Sequence, residues 1–325
     1  GSQQPCAIVA AMGSFRTRRS DLRRSPVAAL AGFFALLAVG HAFVCPQVYA
    51  VYASARCRQT QRQASTRREL LPLLPIFAQV LAPAADALDG SLSGQKVVVF
   101  GGSGFVGQRI CERLVAEGAK VTSISRSGGP PSKAGTWASS VDWKSADVLN
   151  TDVTASLQGA TAAISAIGSI GSADDEQGNG ATNEAVAAAA AGAGVKRFVL
   201  VSASQDVGKA GVDAIFGPYV KGKQRAEAAV KAKFGANGLI LQPSFIFGGE
   251  EFSATPPRVA EWYGAKVENL LSTDFFRAFA ASSPAFLRLA LSPPLSVNDV
   301  AKAAVAGAAG RVQGTLETHD AIKAA

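Results

Sequence analysis

A tyrosine and a lysine four residues apart, Tyr219 and Lys223, are the side chains best suited to proton chemistry in this sequence. This spacing places both on one face of a helix. A phenol there can exchange a proton with a substrate, while the ammonium lowers the phenol's pKa and binds a ribose hydroxyl. Ser202 and Ser204, which end an earlier apolar run, are candidates to polarise a carbonyl. The pattern predicts a hydride-transfer site, and a packing tyrosine beside a surface lysine is the alternative.

A glycine-rich turn follows the β-branched run Lys96–Phe100 and is the strongest chemical signal. It satisfies the dinucleotide fingerprint G-x-G-x-x-G and also its G-x-x-G-x-x-G variant. Glycines permit a tight turn and close approach of the backbone to pyrophosphate, while the next helix offers its N-terminal N–H groups. We expect a nicotinamide dinucleotide here, and a turn kept only for packing is the alternative. The residues assigned to the cofactor are Gly101, Gly102, Ser103, Gly104, Phe105, Val106 and Gly107.

The end of the second predicted strand indicates which nucleotide binds. An NAD site usually has an acid there that accepts from the ribose 2′-hydroxyl. This chain has Ser125, Arg126 and Ser127 instead. Arg126 can pair with a 2′-phosphate, with Ser125 or Ser127 adding a hydrogen bond, so we expect NADP rather than NAD unless Arg126 is simply solvated. Asp147, after the third strand, is placed either to reach the adenine edge or to cap a helix.

Strands and helices alternate along most of the chain. Apolar runs predict strands at 96–100, 120–124, 140–143, 162–167, 197–202 and 239–247, and helical spacing predicts helices at 182–193 and 219–234. Strands that are apolar throughout are typical of a parallel sheet covered on both faces. We therefore predict an α/β fold, a doubly wound parallel Rossmann sheet with a small C-terminal lid region. Ala166, Ile167 and Gly168 then close the fourth strand at the edge where ligands bind.

The C-terminal part is harder to interpret. Residues 250–294 are rich in Phe, Pro and Leu, which predicts either an apolar lid over a hydrophobic substrate, a membrane or partner contact, or ordinary core. Asp299 is the expected cap of a late helix, and residues 311–325 are predicted to be an ill-defined tail in which His319 stands alone. No His, Cys and carboxylate cluster has metal-ligand spacing, so no metal is expected. Cys111 is expected to fill core space.

The formal charge of +8 belongs to the first 85 residues, which carry ten Arg against Asp21 and Glu69, while the remaining residues balance. Nucleic acid is therefore not an expected partner. An Arg-rich start, the apolar run Val27–Val39 and an Arg- and Ser-rich stretch at 43–69 predict a signal peptide followed by a transit peptide. Arg67-Arg68 and the apolar residues after it suggest a lumen signal, or a membrane-surface tether.

These features together predict three parts and a location. Residues 1–85 form a targeting leader, 86–249 an NAD(P)-binding Rossmann domain, and 250–325 a lid region that returns to the sheet. The leader predicts delivery to a plastid, with its compartment within the plastid open. The mitochondrion is the alternative location.

Five motifs carry a resemblance to atypical short-chain dehydrogenase/reductases: Gly101–Gly107, Ser125–Gly128, Val195–Val199, Tyr219–Glu227 and Leu241–Gly248. Within that superfamily the chain resembles the branch of the Rossmann-fold accessory subunit of mitochondrial complex I. Its plastid, plastoglobule-associated members and the fungal relative linked to coenzyme Q synthesis are the nearest match.

The resemblance implies two functions of different class. One is an NADP-dependent oxidoreductase acting on a quinone or isoprenoid-like substrate, with Pro243 beside the cofactor. The other is a non-catalytic, nucleotide-holding subunit of a membrane-associated complex. The chain departs from the pattern at Gln242, where relatives often carry Arg, and in the interval from Ser202 and Ser204 to Tyr219, which is longer than usual.

Overall fold

The computed structural model describes residues 90–170, 174–210, 213–250, 253–254 and 257–325, so the predicted leader lies outside the described residues. The strands are β1 Lys96–Phe100, β2 Lys120–Ser125, β3 Val141–Ser145, β4 Ala162–Ser165, β5 Arg197–Val201, β6 Gly238–Leu241, β7 Ile246–Gly249, β8 Ser253–Ala254, β9 Pro257–Ala260, β10 Leu295–Ser296 and β11 Gly314–Leu316. The helices are α1 Phe105–Ala116, α2 Thr154–Leu157, α3 Thr182–Gly192, α4 Gln205–Lys209, α5 Asp213–Phe234, α6 Glu261–Leu271, α7 Asp274–Ala281, α8 Ala285–Ala290, α9 Val297–Ala308 and α10 His319–Ala324.

The main sheet has seven strands in the order β11-β6-β5-β4-β1-β2-β3. Every neighbouring pair in it is parallel. The direction of winding reverses between β1 and β4, which pair through Val97 and Ala162. This is the doubly wound Rossmann sheet that the sequence predicted. Since parallel strands end at one edge, the turns after β1, β2, β4, β5 and β6 meet there, and we call this the carboxyl edge.

The sheet is buried on both faces. Val97 and Val99 of β1 pack in one core cluster with Ile110 of α1 and Val300 of α9. Val98 and Phe100 belong to a second cluster, together with residues of α3 and α5. Side chains alternate between the faces of a strand, so an apolar run such as β1 requires helices on both sides. The two helical layers fix where α1 and α5 begin relative to the carboxyl edge.

The predicted strand at 239–247 is wrong, because the chain forms two strands in two different sheets. β6 ends at Leu241 in the main sheet, whereas β7 starts at Ile246 in a smaller sheet of order β10-β7-β9-β8. Pro243 explains the break, since proline has no N–H to donate to a ladder. The other predicted strands agree with the observed ones to within two residues at each end.

The helix that carries Tyr219 starts earlier than predicted. α5 begins at Asp213, and Pro218 lies inside it. A proline usually marks the first turn of a helix, which explains the later predicted start. Tyr219 is therefore in the body of a long helix, held by the turns on either side. The helix predicted at 182–193 is observed as α3, preceded by a π-helical turn at Gln177–Ala181.

Two predictions about the C-terminus are wrong. Residues 311–325 are ordered: β11 pairs with β6 at the sheet edge, and Ile322 of α10 is fully buried. Ser296, not Asp299, caps α9, because its hydroxyl accepts the N–H of Asn298 at 3.2 Å as the last residue before the helix. The strand before α9, β10, pairs with Ile246 and Phe247 in the smaller sheet.

His319 is also not isolated. Its Nε2 lies 3.0 Å from Glu268 of α6, and its Nδ1 lies 3.0 Å from Asp320. Lys323 contacts the same Glu268 carboxylate, and Arg277 of α7 pairs with Asp320. These charged groups attach α10 to α6 and α7, which is a structural role that isolated sequence positions do not reveal.

Candidate active site

The glycine-rich turn connects β1 directly to α1, as a dinucleotide site requires. Gly101 has φ of +82°, a left-handed conformation that glycine adopts readily. A Cβ on Gly107 would lie 2.1 Å from the carbonyl oxygen of Gly101, so this position accepts no side chain. Gly104 is exposed, and α1 begins there without a side-chain cap and without an acid in its first turn. The helix N-terminus is thus available to an anion, and these residues fit a dinucleotide pyrophosphate.

Hydroxyl groups cluster beside Arg126 at the end of β2. Ser127 Oγ lies 3.1 Å from Ser103 Oγ of the glycine turn and 3.2 Å from Ser125 Oγ. Arg126 is exposed and forms no ion pair with the part of the chain that the structure describes. The hydroxyl of Ser145 in β3 donates a hydrogen bond to the backbone oxygen of Arg126 at 2.9 Å. This bond holds the backbone of Arg126, while its guanidinium stays exposed.

Asp147 lies in a turn after β3 and does not cap a helix. Its carboxylate accepts the N–H of Leu149 at 3.2 Å and the side-chain amide of Asn150 at 2.8 Å. The next helix, α2, starts only at Thr154. The alternative role as a helix cap is therefore wrong, and a contact with adenine stays a prediction.

The end of β4 links the glycine turn to the predicted catalytic pair. A Cβ on Gly101 would lie 3.1 Å from the backbone oxygen of Ala166, so the two turns are in contact. A Cβ on Gly168 would lie 3.2 Å from Lys223 Nζ and 3.2 Å from Asn179 Oδ1. Ala166, Ile167 and Gly168 therefore lie between the glycine turn and α5, where a dinucleotide bound at the turn would continue.

Lys223 is held at the carboxyl edge by two strands. Its Nζ donates to the backbone oxygens of Ile167 and Val201, each at 3.1 Å, and its side chain is buried. Burial lowers the pKa of this ammonium to about 8, against the opposing effect of the Glu227 carboxylate. Two of its three N–H groups are committed to the protein, which leaves one for a ligand.

Tyr219 lies near Lys223, but its ionisation differs from the prediction. Lys223 Nζ is 5.8 Å from the centre of the Tyr219 ring. Burial, followed by the negative charge of Asp175, raises the pKa of the phenol to about 12. The expected lowering by Lys223 is not observed, since Asp175 opposes it and burial disfavours the phenolate. The hydroxyl therefore stays protonated at neutral pH.

The two candidate serines are engaged with other groups. Ser202 Oγ donates to Glu227 Oε1 at 2.5 Å and is buried. Ser204 caps α4, its Oγ accepting the N–H of Asp206 at 3.2 Å, and its own N–H donates to the oxygen of Pro243 at 2.9 Å. Their proposed contact with a substrate carbonyl stays a prediction, because both hydroxyls already have partners in this conformation.

Buried polar residues that the sequence analysis gave no role surround the pair. Asp175, Asn179 and Asn183 are buried on the helix segment that precedes and includes α3, and Glu227 is buried on α5. Asn179 Nδ2 donates to the oxygen of Ser169 at 2.7 Å, which shapes the loop after β4. The spacing of four residues from Lys223 to Glu227 is a signal that could have drawn attention to Glu227.

The lid region is only partly core. Trp262 of α6, Phe279 of α7 and Phe286 of α8 are 60%, 49% and 58% exposed. The interpretation of the lid's apolar residues as ordinary core is therefore wrong for these three. Arg288 of α8 forms two hydrogen bonds, at 3.0 and 2.8 Å, with the carboxylate of Asp206 in α4. The lid is thus tied to the helix that follows β5 at the carboxyl edge.

Within the ranges that the structure covers, no group of three or more His, Cys, Asp or Glu could hold a metal ion. Among the helices of those same ranges, none combines the length and apolar character needed to cross a membrane.

Fold and glycine turn together define an NAD(P)-binding Rossmann-fold protein, and residues 101–260 match the sequence model of a family described as NAD(P)H-binding. A chloroplastic protein of Arabidopsis thaliana, the uncharacterized protein At1g32220, is 33% identical over 216 residues, which are 66% of this chain and 71% of that protein. The chain belongs to the same family of NAD(P)H-binding proteins. MIOREX complex component 2 of Saccharomyces cerevisiae is 43% identical over 61 residues, which are 18% of this chain and 22% of that protein.

Solved structures that resemble this chain include an epimerase and an enzyme bound to NADH. A UDP-N-acetylglucosamine 4-epimerase from Methanobrevibacter ruminantium has a TM-score of 0.49 and 17% identity, covering 69% of this chain and 76% of its own. The Bordetella bronchiseptica enzyme WbmF, solved with NADH, has a TM-score of 0.48 and 16% identity, covering 70% and 71%. At these values neither structure bears on the substrate or the cofactor preference of this chain.

Proposed function

We propose that this protein is an NADP-dependent reductase that acts on a hydrophobic carbonyl substrate of the quinone or isoprenoid type. The observation that carries the proposal is the continuous path from the glycine turn through Ala166 and Gly168 to Lys223 and Tyr219. A dinucleotide with its pyrophosphate at the turn and its ribose at Lys223 would supply the hydride. Tyr219 then donates the proton that completes the reduction of the carbonyl oxygen to a hydroxyl.

Reduction of a carbonyl needs a proton donor, and the phenol of Tyr219, whose pKa is about 12, is protonated at neutral pH, although it is a weaker acid than an ordinary tyrosine. Lys223, whose pKa burial lowers to about 8, is mostly an ammonium at neutral pH and can donate to a ribose hydroxyl. The exposed aromatic side chains of the lid support a hydrophobic substrate, because they offer apolar surface.

NADP preference is proposed on the cluster at the end of β2. Arg126 and the hydroxyls of Ser103, Ser125 and Ser127 together offer a cation and three hydrogen-bonding groups. The described part of β2 and its turn has no acid that would repel a 2′-phosphate. Calorimetric titration of the full chain with NADPH and then NADH tests this, and equal affinity for both would reject the preference.

Arg126→Ala is expected to reduce the affinity for NADPH by roughly tenfold and to leave the affinity for NADH unchanged. The physical reason is that only NADPH carries the phosphate that the guanidinium pairs with. The measurement is the ratio of the two dissociation constants in the wild type and the variant. Lys144→Ala, on the exposed side of the neighbouring strand β3, is the matched control for loss of a surface cation. An unchanged ratio in Arg126→Ala removes this residue from the NADP site.

Two observations favour a second function. The phenol of Tyr219 is not activated as a base, and both candidate serines are engaged, which also suits a protein that holds its nucleotide without turnover. Such a protein would be a structural or assembly subunit of a membrane-associated complex. Bound nucleotide could still stabilise it by about 2.7 kcal/mol at a hundredfold excess over the dissociation constant. The two functions differ in whether NADPH is consumed when a quinone is added.

Plastid location is proposed from the leader and is supported by the chloroplastic relative in Arabidopsis thaliana. We expect residues 1–85 fused to a fluorescent protein to direct it to the plastid of an alga with a secondary plastid. The same fusion without the Arg-rich start and the apolar run Val27–Val39 is expected to stay in the cytosol, because this predicted signal peptide is the first of the two targeting signals. Import into the mitochondrion would reject this location in favour of the alternative.

A further inference from the structure

Glu227 is a buried carboxylate at the carboxyl edge that the proposed reaction does not use. It is 5% exposed, and its Oε1 accepts hydrogen bonds from Ser202 Oγ at 2.5 Å and Gln242 Nε2 at 2.8 Å. Gln205 Nε2 lies 3.4 Å from its other oxygen. Burial of a carboxylate is strongly unfavourable unless hydrogen bonds and an opposite charge compensate it. The neutral donors supply the hydrogen bonds, and Lys223 supplies the opposite charge.

Three residues of α5 follow one another at intervals of four on the same face: Tyr219, Lys223 and Glu227. Lys223 connects α5 to the ends of β4 and β5 through its two backbone acceptors. Glu227, one turn later, connects α5 to the residues directly after β5 and β6. The two side chains together hold the helix against three neighbouring strands, and this fixes where Tyr219 lies.

Several other charged groups packed around α5 are paired with one another, and one acts on Tyr219. Glu184 and Glu176 pair with Arg225, and Glu176 also pairs with Lys221. Asp206 of α4 pairs with Arg288. Asp175 acts on the Tyr219 phenol, and Glu227 is the carboxylate that raises the pKa of Lys223.

We propose that Glu227 is a positioning residue, whose buried carboxylate keeps Lys223 charged and holds Ser202 away from a catalytic role. The proposal rests on the proposed function only for the nucleotide contact of Lys223. Because the hydroxyl of Ser202 donates to this carboxylate, it helps to hold α5 against the end of β5. Gln242 contributes through its Nε2, while its buried Oε1 has no hydrogen-bond partner in the described residues.

Stability without nucleotide reports the charge of Lys223. Its pKa is about 8 in the folded protein, below the ordinary value of 10.5, so the unfolded chain binds more protons between these values. The free energy of unfolding therefore rises with pH, starting near pH 8. Loss of the Glu227 charge lowers the pKa of Lys223 further and moves this onset to lower pH. Cys111, whose pKa burial raises from 9.0, adds an opposing slope above that value, so the onset is compared between pH 6.5 and 8.5 in proteins that share every other titratable group.

The test compares the pH dependence of unfolding by urea in nucleotide-free full chains. Glu227→Gln keeps an oxygen that accepts from Ser202 and removes the charge, and the onset is expected about one pH unit lower than in the wild type. Gln242→Arg leaves the carboxylate and neutralises it with a cation, so it is expected to shift the onset in the same direction. Asp206→Asn, which removes a half-buried carboxylate that pairs with Arg288 and does not act on Lys223, is the matched control and keeps the wild-type onset.

NADPH titrations of the same proteins separate this proposal from the proposed function. If Lys223 binds the ribose, the affinity of Glu227→Gln weakens with rising pH about one unit earlier than that of the wild type. If the stability of the wild type, Glu227→Gln and Gln242→Arg begins to rise at the same pH, the proposed role of Glu227 is wrong. If the onset shifts but none of the proteins, including the wild type, binds NADPH, the role of Glu227 is supported and the proposed function is rejected.

Discussion

Tyr219→Phe is expected to abolish reduction of a short-chain plastoquinone by NADPH while leaving NADPH binding intact. The phenol is the proposed proton donor, and loss of a positioned general acid lowers the rate by about 10²–10⁴-fold. Phenylalanine keeps the ring beside Lys223, 5.8 Å from its Nζ, so α5 should keep its place. The measurement is the rate of NADPH oxidation at saturating nucleotide, with the dissociation constant for NADPH measured in parallel.

Each result has a distinct meaning. A rate that survives in Tyr219→Phe contradicts the proton-donor role, even if the protein remains a reductase. A wild type that binds NADPH and oxidises it with none of the quinones favours the nucleotide-holding subunit. Loss of NADPH binding together with the rate would mean that the hydroxyl has a role in holding the cofactor.

Gly107→Ala is expected to destabilise the fold and to abolish nucleotide binding. A methyl group there would lie 2.1 Å from Gly101 O and 2.7 Å from Gly102 Cα, which are backbone atoms that cannot turn aside. Either the turn or α1 must shift, and overpacking of this kind destabilises by about 1–3 kcal/mol. The shift also displaces the N-terminal N–H groups of α1 that are proposed to bind pyrophosphate. Urea unfolding and NADPH titration measure the two effects.

Gly192→Ala is the matched control, since no atom outside its own helix region lies within 4 Å of a Cβ at that position. It is expected to be neutral or slightly stabilising, because alanine favours a helix over glycine. A Gly107→Ala protein as stable as the wild type, with unchanged affinity for NADPH, would show that close packing of α1 on the turn is not needed.

The sequence predicted the elements whose signals are local. β1, the glycine turn and α1 follow one another within a few residues, and the hydrophobic run, glycines and helical spacing all favour the same structure. The doubly wound sheet followed from strands that are apolar throughout, because both of their faces must be covered. The spacing of Tyr219 and Lys223 is also a local signal, and it correctly indicated one helical face, although the helix starts at Asp213.

The errors lie where distant segments decide the structure. Nothing near Gly314 shows that it will pair with Leu239, so β11 was not predicted. The pKa of Tyr219 depends on Asp175, which the fold brings close from another helix, and on burial that no spacing reveals. Glu227 is similar, because Ser202 and Gln242 come from two strand ends that meet only in the folded sheet.

The edge strand β11 also affects how the molecule is made. The ladder of β6 is completed only by Gly314–Leu316, so during synthesis from the N-terminus the outer edge of β6 stays open while the lid and α9 emerge from the ribosome. An open strand edge pairs readily with other chains. A truncation before residue 314 therefore leaves the buried strand β6 as the outer strand of the sheet, with its edge open to other chains.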